Sequence, residues 1–289
     1  MPGPRFAVAG LRTDRAAAPA LFVSATAQFQ PLGIRMASSA VGHHALLDWT
    51  EAAYWREARR PLTSLAFILP ALAIYEIGVL LLGPAAMRNG ADLWLRDFLE
   101  LFGLGQYFLL PVLTAALLMA WHHTTGDNWQ VSAGVLAGML LECVVMGLTL
   151  VAIGRVQGTL LQSLVGPGNH SVAAQWSLRH WSIAGRTVGF LGAGIYEELL
   201  FRLMLLPMAV GLWQLAGGSR RMRLVVAIVV TSLIFSGAHY WGPQGERFEA
   251  YSFLFRFLAG GFFGLLFVHR GFGVAAGTHA LYDIFVGVF

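Results

Sequence analysis

The 289-residue chain is 57% hydrophobic and only 12% charged, with a mean hydropathy of +0.64. An ordinary globular domain carries about twice that charge fraction, and the apolar residues fall in blocks of about 16 to 24, long enough to cross a hydrocarbon layer of about 30 Å, so a soluble or disordered chain is excluded. All nineteen basic residues are arginine and the net charge is only +4; the arginines are scattered, which reads as GC-rich bacterial coding, with no nucleic acid among the expected partners.

Residues 1–44 lack sustained periodicity and are expected to be disordered or to precede a later start at Met36, while 45–289 read as one transmembrane domain. The stretch Ala16–Ala27 is a poor signal-like segment interrupted by Pro19. From Ala45 to Ala58 the pattern is amphipathic, with Trp49, Tyr54 and Trp55 beside Arg56, Arg59 and Arg60, a mixture suited to the headgroup layer. Seven apolar segments follow, at about Leu62–Leu82, Tyr107–Trp121, Val131–Gly154, Thr187–Leu206, Leu224–Tyr240, Phe253–Val268 and Gly273–Phe289. A backbone in lipid must satisfy its own hydrogen bonds and the alternation of barrel strands is missing, so all seven are expected to be helical. The fold class is therefore all-α, a polytopic bundle of about seven spanning helices plus one interfacial helix.

That interfacial helix is placed at Asn89–Gly103. Asn89 can cap it, and Asp92, Arg96, Asp97 and Glu100 share one face opposite Leu93, Leu95, Phe98, Leu99 and Phe102. Between the third and fourth segments, Arg155–Arg186 reads as the longest polar connection, with Gly166-Pro167-Gly168 as a breaker and Trp176 and Trp181 beside it. Four crossings separate Arg56, Arg59 and Arg60 from Arg220, Arg221 and Arg223, which puts both clusters on one side, cytoplasmic by the positive-inside rule. The expected location is a bacterial inner membrane. Cys143 is the only cysteine, so a disulfide framework and a thiolate metal cluster are excluded within one chain.

Ionisable residues inside spans cost about 2.5–3.5 kcal/mol each at a helix centre and need a reason. The fourth segment carries Glu197, Glu198 and Arg202 within six residues. At 100° per residue Glu198 and Arg202 stack at i and i+4 and can neutralise one another, whereas Glu197 has no partner in its own helix. A carboxylate without a countercharge in low dielectric is suited to proton exchange near neutral pH, as a general base or acid. The fifth segment ends in Phe235-Ser236-Gly237-Ala238-His239, and the seventh holds His279-Ala280-Leu281-Tyr282-Asp283; each histidine shares a face with the residue four away. Two imidazoles with Glu197 and Asp283 on three helices can hold a divalent cation such as zinc, through His239, His279, Asp283 and Glu197, or can activate water without one. No His-Glu-x-x-His occurs, Asp283 is the only intramembrane aspartate, and no serine or cysteine lies in a nucleophile motif. Glu76 and Glu142 read as interhelical hydrogen-bonding groups, either available to Arg202. Gly260 and Gly264 form a helix-packing face, and His43, His44, His122, His123, His170, His180 and His269 read as solvated residues in loops or at span ends.

Glu197-Glu198-x-x-x-Arg202, Phe235-x-x-x-His239 and His279-x-x-x-Asp283, in this order on successive apolar segments, resemble the CAAX prenyl protease and bacteriocin-processing (CPBP, or Abi) family of intramembrane glutamate- or metallo-type endopeptidases. The resemblance runs from about 186 to 289. It implies a membrane-embedded helical core and cleavage near the C-terminus of a membrane-associated peptide or protein substrate, prenylated in the eukaryotic members. It further implies that Glu197 activates water with His239, that Glu198 and Arg202 are the paired supports, and that His279 and residue 283 stabilise the oxyanion. The prenyl proteases carry asparagine at that last position. An amide donates to an oxyanion whereas an ionised Asp283 repels it, so Asp283 must be protonated, orient His279 or bind a cation. Two other classes compete with an endopeptidase: a non-catalytic membrane factor using the same charged core for binding, immunity or scaffolding, and a proton-relaying transporter. The polar residues cluster on three segments, which favours a pocket over a path across the bilayer.

Overall fold

The computed structural model describes residues 53–165, 181–242 and 245–289. The expectations for residues 1–44, Trp49, the Gly166-Pro167-Gly168 breaker, Trp176 and His43, His44, His170 and His180 lie outside them. The helices are α1 (Pro61–Leu82), α2 (Gly90–Glu100), α3 (Leu109–Thr125), α4 (Ala133–Val165), α5 (Ile183–Glu198), α6 (Leu206–Leu215), α7 (Arg220–Ala238), α8 (Ala250–Arg270) and α9 (Phe272–Gly287), with a π-helical segment, Leu199–Leu205, joining α5 to α6. No strand occurs among the described residues.

Four helical stretches are long and apolar enough to cross a membrane: Pro61–Ala85, Ala133–Leu164, Arg220–Ala238 and Ala250–Arg270. The other apolar segments are helical too, but α3 has 17 residues and α9 has 16. At 1.5 Å per residue they reach about 24–26 Å, short of a layer of about 30 Å. The fourth expected span is a helix interrupted by the π segment. α4 does not stop at Gly154; it continues through the first third of the expected polar connection, with Val156, Leu160 and Leu164 exposed along one side.

α9 lies in the interior, packed on α4 and α5 and flanked by α1 and α8, while α8 packs along α7. Small residues permit this. Gly260 on α8 faces Ser232 on α7, where an added Cβ would stand 2.9 Å from the serine Cβ, and Gly264 faces Ile228. The Gly-x-x-x-Gly face thus packs helices as expected.

α2 buries Leu95 as an apolar face would, but part of its polar face turns inward as well. Asp92 is fully buried, accepts a 2.8 Å hydrogen bond from the Tyr75 hydroxyl on α1 and pairs with Arg96 at 2.6 Å. Arg96 also pairs with Glu76 on α1 at 3.0 and 3.1 Å, and Tyr196 on α5 donates to the same Glu76. Phe98, Leu101 and Phe102 face outward. Because Tyr75 and Glu76 on α1 give Asp92 and Arg96 buried partners, that edge of α2 turns inward, while Phe98 and Phe102 are exposed together with Asp97 and Glu100.

Glu142 on α4 takes Arg270 at the end of α8 and the Tyr54 hydroxyl, with the Arg270 guanidinium 3.6 Å from the centre of the Trp55 ring. Glu76 and Glu142 are thus interhelical ties, and neither partners Arg202. His269 and His123 are exposed as expected, but His122 is wholly buried, edge-on to Trp129 with ring centres 4.7 Å apart. The turn after α3 folds back over it, which sequence position at a helix end does not reveal.

Candidate active site

The last two residues of α5 are Glu197 and Glu198, and the π segment starts directly after them. π-helical turns occur mainly as local insertions, often at functional sites. The i, i+4 pairing survives the wider turn: Arg202 Nη1 stands 3.1 Å from Glu198 Oε1, and its Nη2 donates to the Gly260 carbonyl at 3.2 Å. The guanidinium is 2% exposed and lies 4.4 Å from the Phe235 ring centre and 5.5 Å from that of Phe263. Burial among aromatic faces and one carboxylate gives the cation the partners that a low dielectric requires.

α9 reaches this cluster because α5 carries Gly194. A Cβ there would stand 2.6 Å from both the backbone nitrogen and the Cβ of Ala280 and 2.7 Å from the Ala276 carbonyl oxygen. The close approach brings His279 Nδ1 to 2.8 Å from Glu198 Oε1, so Glu198 joins Arg202 to His279. Phe263 stacks on the His279 ring at 4.4 Å and 14°, fixing its plane. Asp283, one turn along α9, places Oδ2 3.6 Å from His279 Nε2.

His239 sits just past the end of α7, and its Nδ1 is 2.9 Å from the Phe235 carbonyl. A carbonyl only accepts, so Nδ1 carries the proton and Nε2 is left to face the site. Nε2 of His239 lies 4.0 Å from Glu197 Oε2, and Nε2 of His279 lies 3.7 Å from the same oxygen. Glu197 Oε1 accepts from Asn89 Nδ2 at 2.6 Å, whereas Oε2 is buried with no hydrogen-bond partner. Glu197, His239, His279 and Asp283 together line a cavity of about 50 Å³ whose other walls include Phe190, Phe235, Phe255 and Tyr282. A water needs about 10–15 Å³ of such volume, so there is room for one and for part of a substrate.

All six expected residues, Glu197, Glu198, Arg202, His239, His279 and Asp283, are therefore brought to one place. Among the described residues no group of three or more His, Cys, Asp or Glu side chains is arranged to hold a metal ion. Three residues beside the site were missed from sequence. Arg256 lines the cavity and pairs with Glu246 at 2.7 Å; it is a charge inside the sixth apolar segment, and the cost argument that singled out Glu197 applies to it equally. Phe263 looks like any core aromatic until its ring is seen on His279. Asn89 was read only as a helix cap, and nothing local links it to a residue 108 positions away.

No curated protein and no solved structure matches the chain. Residues 179–285, the stretch that holds all three motifs, match the family model described as type II CAAX prenyl endopeptidase Rce1-like, and the resemblance read from those motifs is upheld over that stretch.

Proposed function

We propose that the chain is an intramembrane endopeptidase of the CAAX type, hydrolysing a peptide bond of a membrane-associated, lipid-modified protein or peptide in a bacterial inner membrane. The observation that carries this reading is the unpartnered Glu197 Oε2, held 3.7 and 4.0 Å from two imidazole Nε2 atoms on the wall of a cavity. These separations are too long for direct hydrogen bonds and suit groups that share one water at about 2.8 Å from each. Glu197 then takes a proton from that water as its oxygen attacks the scissile carbonyl carbon, and returns the proton to the departing amine nitrogen. His239 Nε2 orients the water. His279, held at Nδ1 by Glu198, stabilises the oxyanion through Nε2, and Asp283, 3.6 Å from that nitrogen, acts through its charge rather than by donating itself. No acyl-enzyme forms in this scheme, because among the described residues no serine, threonine or cysteine lines the cavity.

Water activation is proposed without a metal. Glu197 serves as the base in this scheme, which leaves His239, His279 and Asp283 as the ligands a zinc-like ion would need at about 2.0–2.2 Å. The peptidase family of the matched stretch favours catalysis over a binding, immunity or scaffolding role, and the pocket, as opposed to a path, speaks against a proton-relaying transporter. The test uses purified protein in detergent with a prenylated CAAX peptide. Cleavage that persists in chelator and falls at least about 100-fold in Glu197→Gln supports the reading, that factor being the low end for loss of a general base. Glu197→Gln with wild-type turnover removes Glu197 from its role, and loss of activity in chelator with recovery on adding zinc replaces the metal-free scheme.

A further inference from the structure

The Asn89 side chain is used at both ends. Its Oδ1 accepts from the Ala91 backbone nitrogen at 2.8 Å, capping α2, and its Nδ2 donates to Glu197 Oε1 at 2.6 Å. The cap fixes which end is which, since only the carbonyl oxygen can accept from a backbone N–H. The amide nitrogen must therefore face the glutamate. α2 is in turn held in place by Asp92, bound to Tyr75 and Arg96, and by Arg96 on Glu76, which also receives Tyr196, the residue preceding Glu197. The backbone before the cap runs against α5, where a Cβ on Gly189 would meet the Met87 carbonyl oxygen at 2.9 Å. An anchored cap at this position can neither turn its amide nor withdraw it.

We infer that Asn89 is a positioning residue for the reaction, and that the inward polar edge of α2 exists to present it. By occupying Oε1 with a donor, Asn89 sets the rotation of the Glu197 carboxylate, holds that oxygen as an acceptor and reserves Oε2 for water between the two histidines. Of the groups facing the carboxylate, His239 comes from the end of α7 and His279 and Asp283 from α9, while among the described residues Asn89, at the cap of α2, is the hydrogen-bond donor to Oε1. This inference rests on the reading of Glu197 as the base.

The cap and the positioning role separate by substitution, because serine and aspartate cap a helix about as well as asparagine. Neither can donate from this distance to Glu197, serine being too short and aspartate having no proton to give when ionised. Asn89→Ser is expected to lower kcat for the prenylated peptide about 10- to 100-fold with KM little changed, the range for a lost hydrogen bond to a charged group. Asn89→Asp, which sets a second carboxylate against the first, is expected to lower it further. Independently of any substrate, Asn89→Asp is expected to lower the melting temperature in detergent, and adding Glu197→Gln is expected to restore it, since the new amide at 197 donates to the carboxylate at 89; this double variant is stable and inactive. Wild-type kcat in both Asn89→Ser and Asn89→Asp, or no melting rescue in the double variant, overturns the inference and leaves a helix cap. Turnover by Glu197→Gln alone instead overturns the role of Glu197, and the melting cycle still reports whether the two side chains touch.

Discussion

Arg202 pairs with Glu198 on one side and binds the Gly260 carbonyl on the other, so its guanidinium ties the glutamate pair to α8. Glu198 passes that support to His279. Removing the cation leaves Glu198 buried with the imidazole as its remaining partner. Arg202→Ala is therefore expected to cost about 3 kcal/mol, the lower end of the range for a broken buried pair, seen as a reduced yield of folded protein and a lower melting temperature in detergent. Normal yield and melting would show that Glu198 is not buried as described. At this scale the sequence was informative where partners share a helix. Glu198 with Arg202, Phe235 with His239 and His279 with Asp283 all follow from i, i+4 geometry. Pairings between helices were not legible: Glu142 belongs to Arg270 and Glu76 to Arg96 because of how helices lie, and both glutamates were equally available to Arg202 on paper.

At the scale of the element, α5 and α9 meet through a position that allows no side chain. Gly194→Ala puts a Cβ 2.6 Å from the Ala280 nitrogen, so α9 must move away and take His279 with it. The expected result is a destabilisation of about 1–3 kcal/mol, as for other overpacked cores, and an activity loss out of proportion to the loss of folded protein. Specific activity per folded molecule equal to wild type would show that the site tolerates a shift of α9. Nothing in the sequence says which helix Gly194 admits. α2 shows the complementary limit. Periodicity says which residues share a face, and it placed Asp92 and Arg96 together correctly; whether a polar face meets water or buried partners depends on α1 and α5, more remote in sequence. The π segment was hidden for a similar reason, since the seven residues Leu199–Leu205 give no sign of their hydrogen-bond register.

For the whole molecule, the sequence established the helical class and the apolar segments, and the motif order carried the family resemblance over residues 179–285. It could not establish depth. Glu197, His239 and His279 fall at different heights when each apolar segment is centred in the bilayer, yet α5 ends at the glutamates, α7 ends just before His239 and α9 is a short interior helix, which lets both imidazoles come within 4.0 Å of Glu197. An interior helix need not match the hydrocarbon thickness, because protein rather than lipid surrounds it. Under the proposed function this convergence is a hydrolytic centre acting on other membrane proteins. The most direct measurement is a comparison of protein termini in membranes of cells carrying the wild-type chain and cells carrying Glu197→Gln at equal abundance. The expected result is at least one membrane-associated protein with a new C-terminus in the wild-type sample and an uncut one in the variant. Identical termini in both, with each protein folded and in the membrane, would contradict it and return the charged core to a binding or scaffolding role.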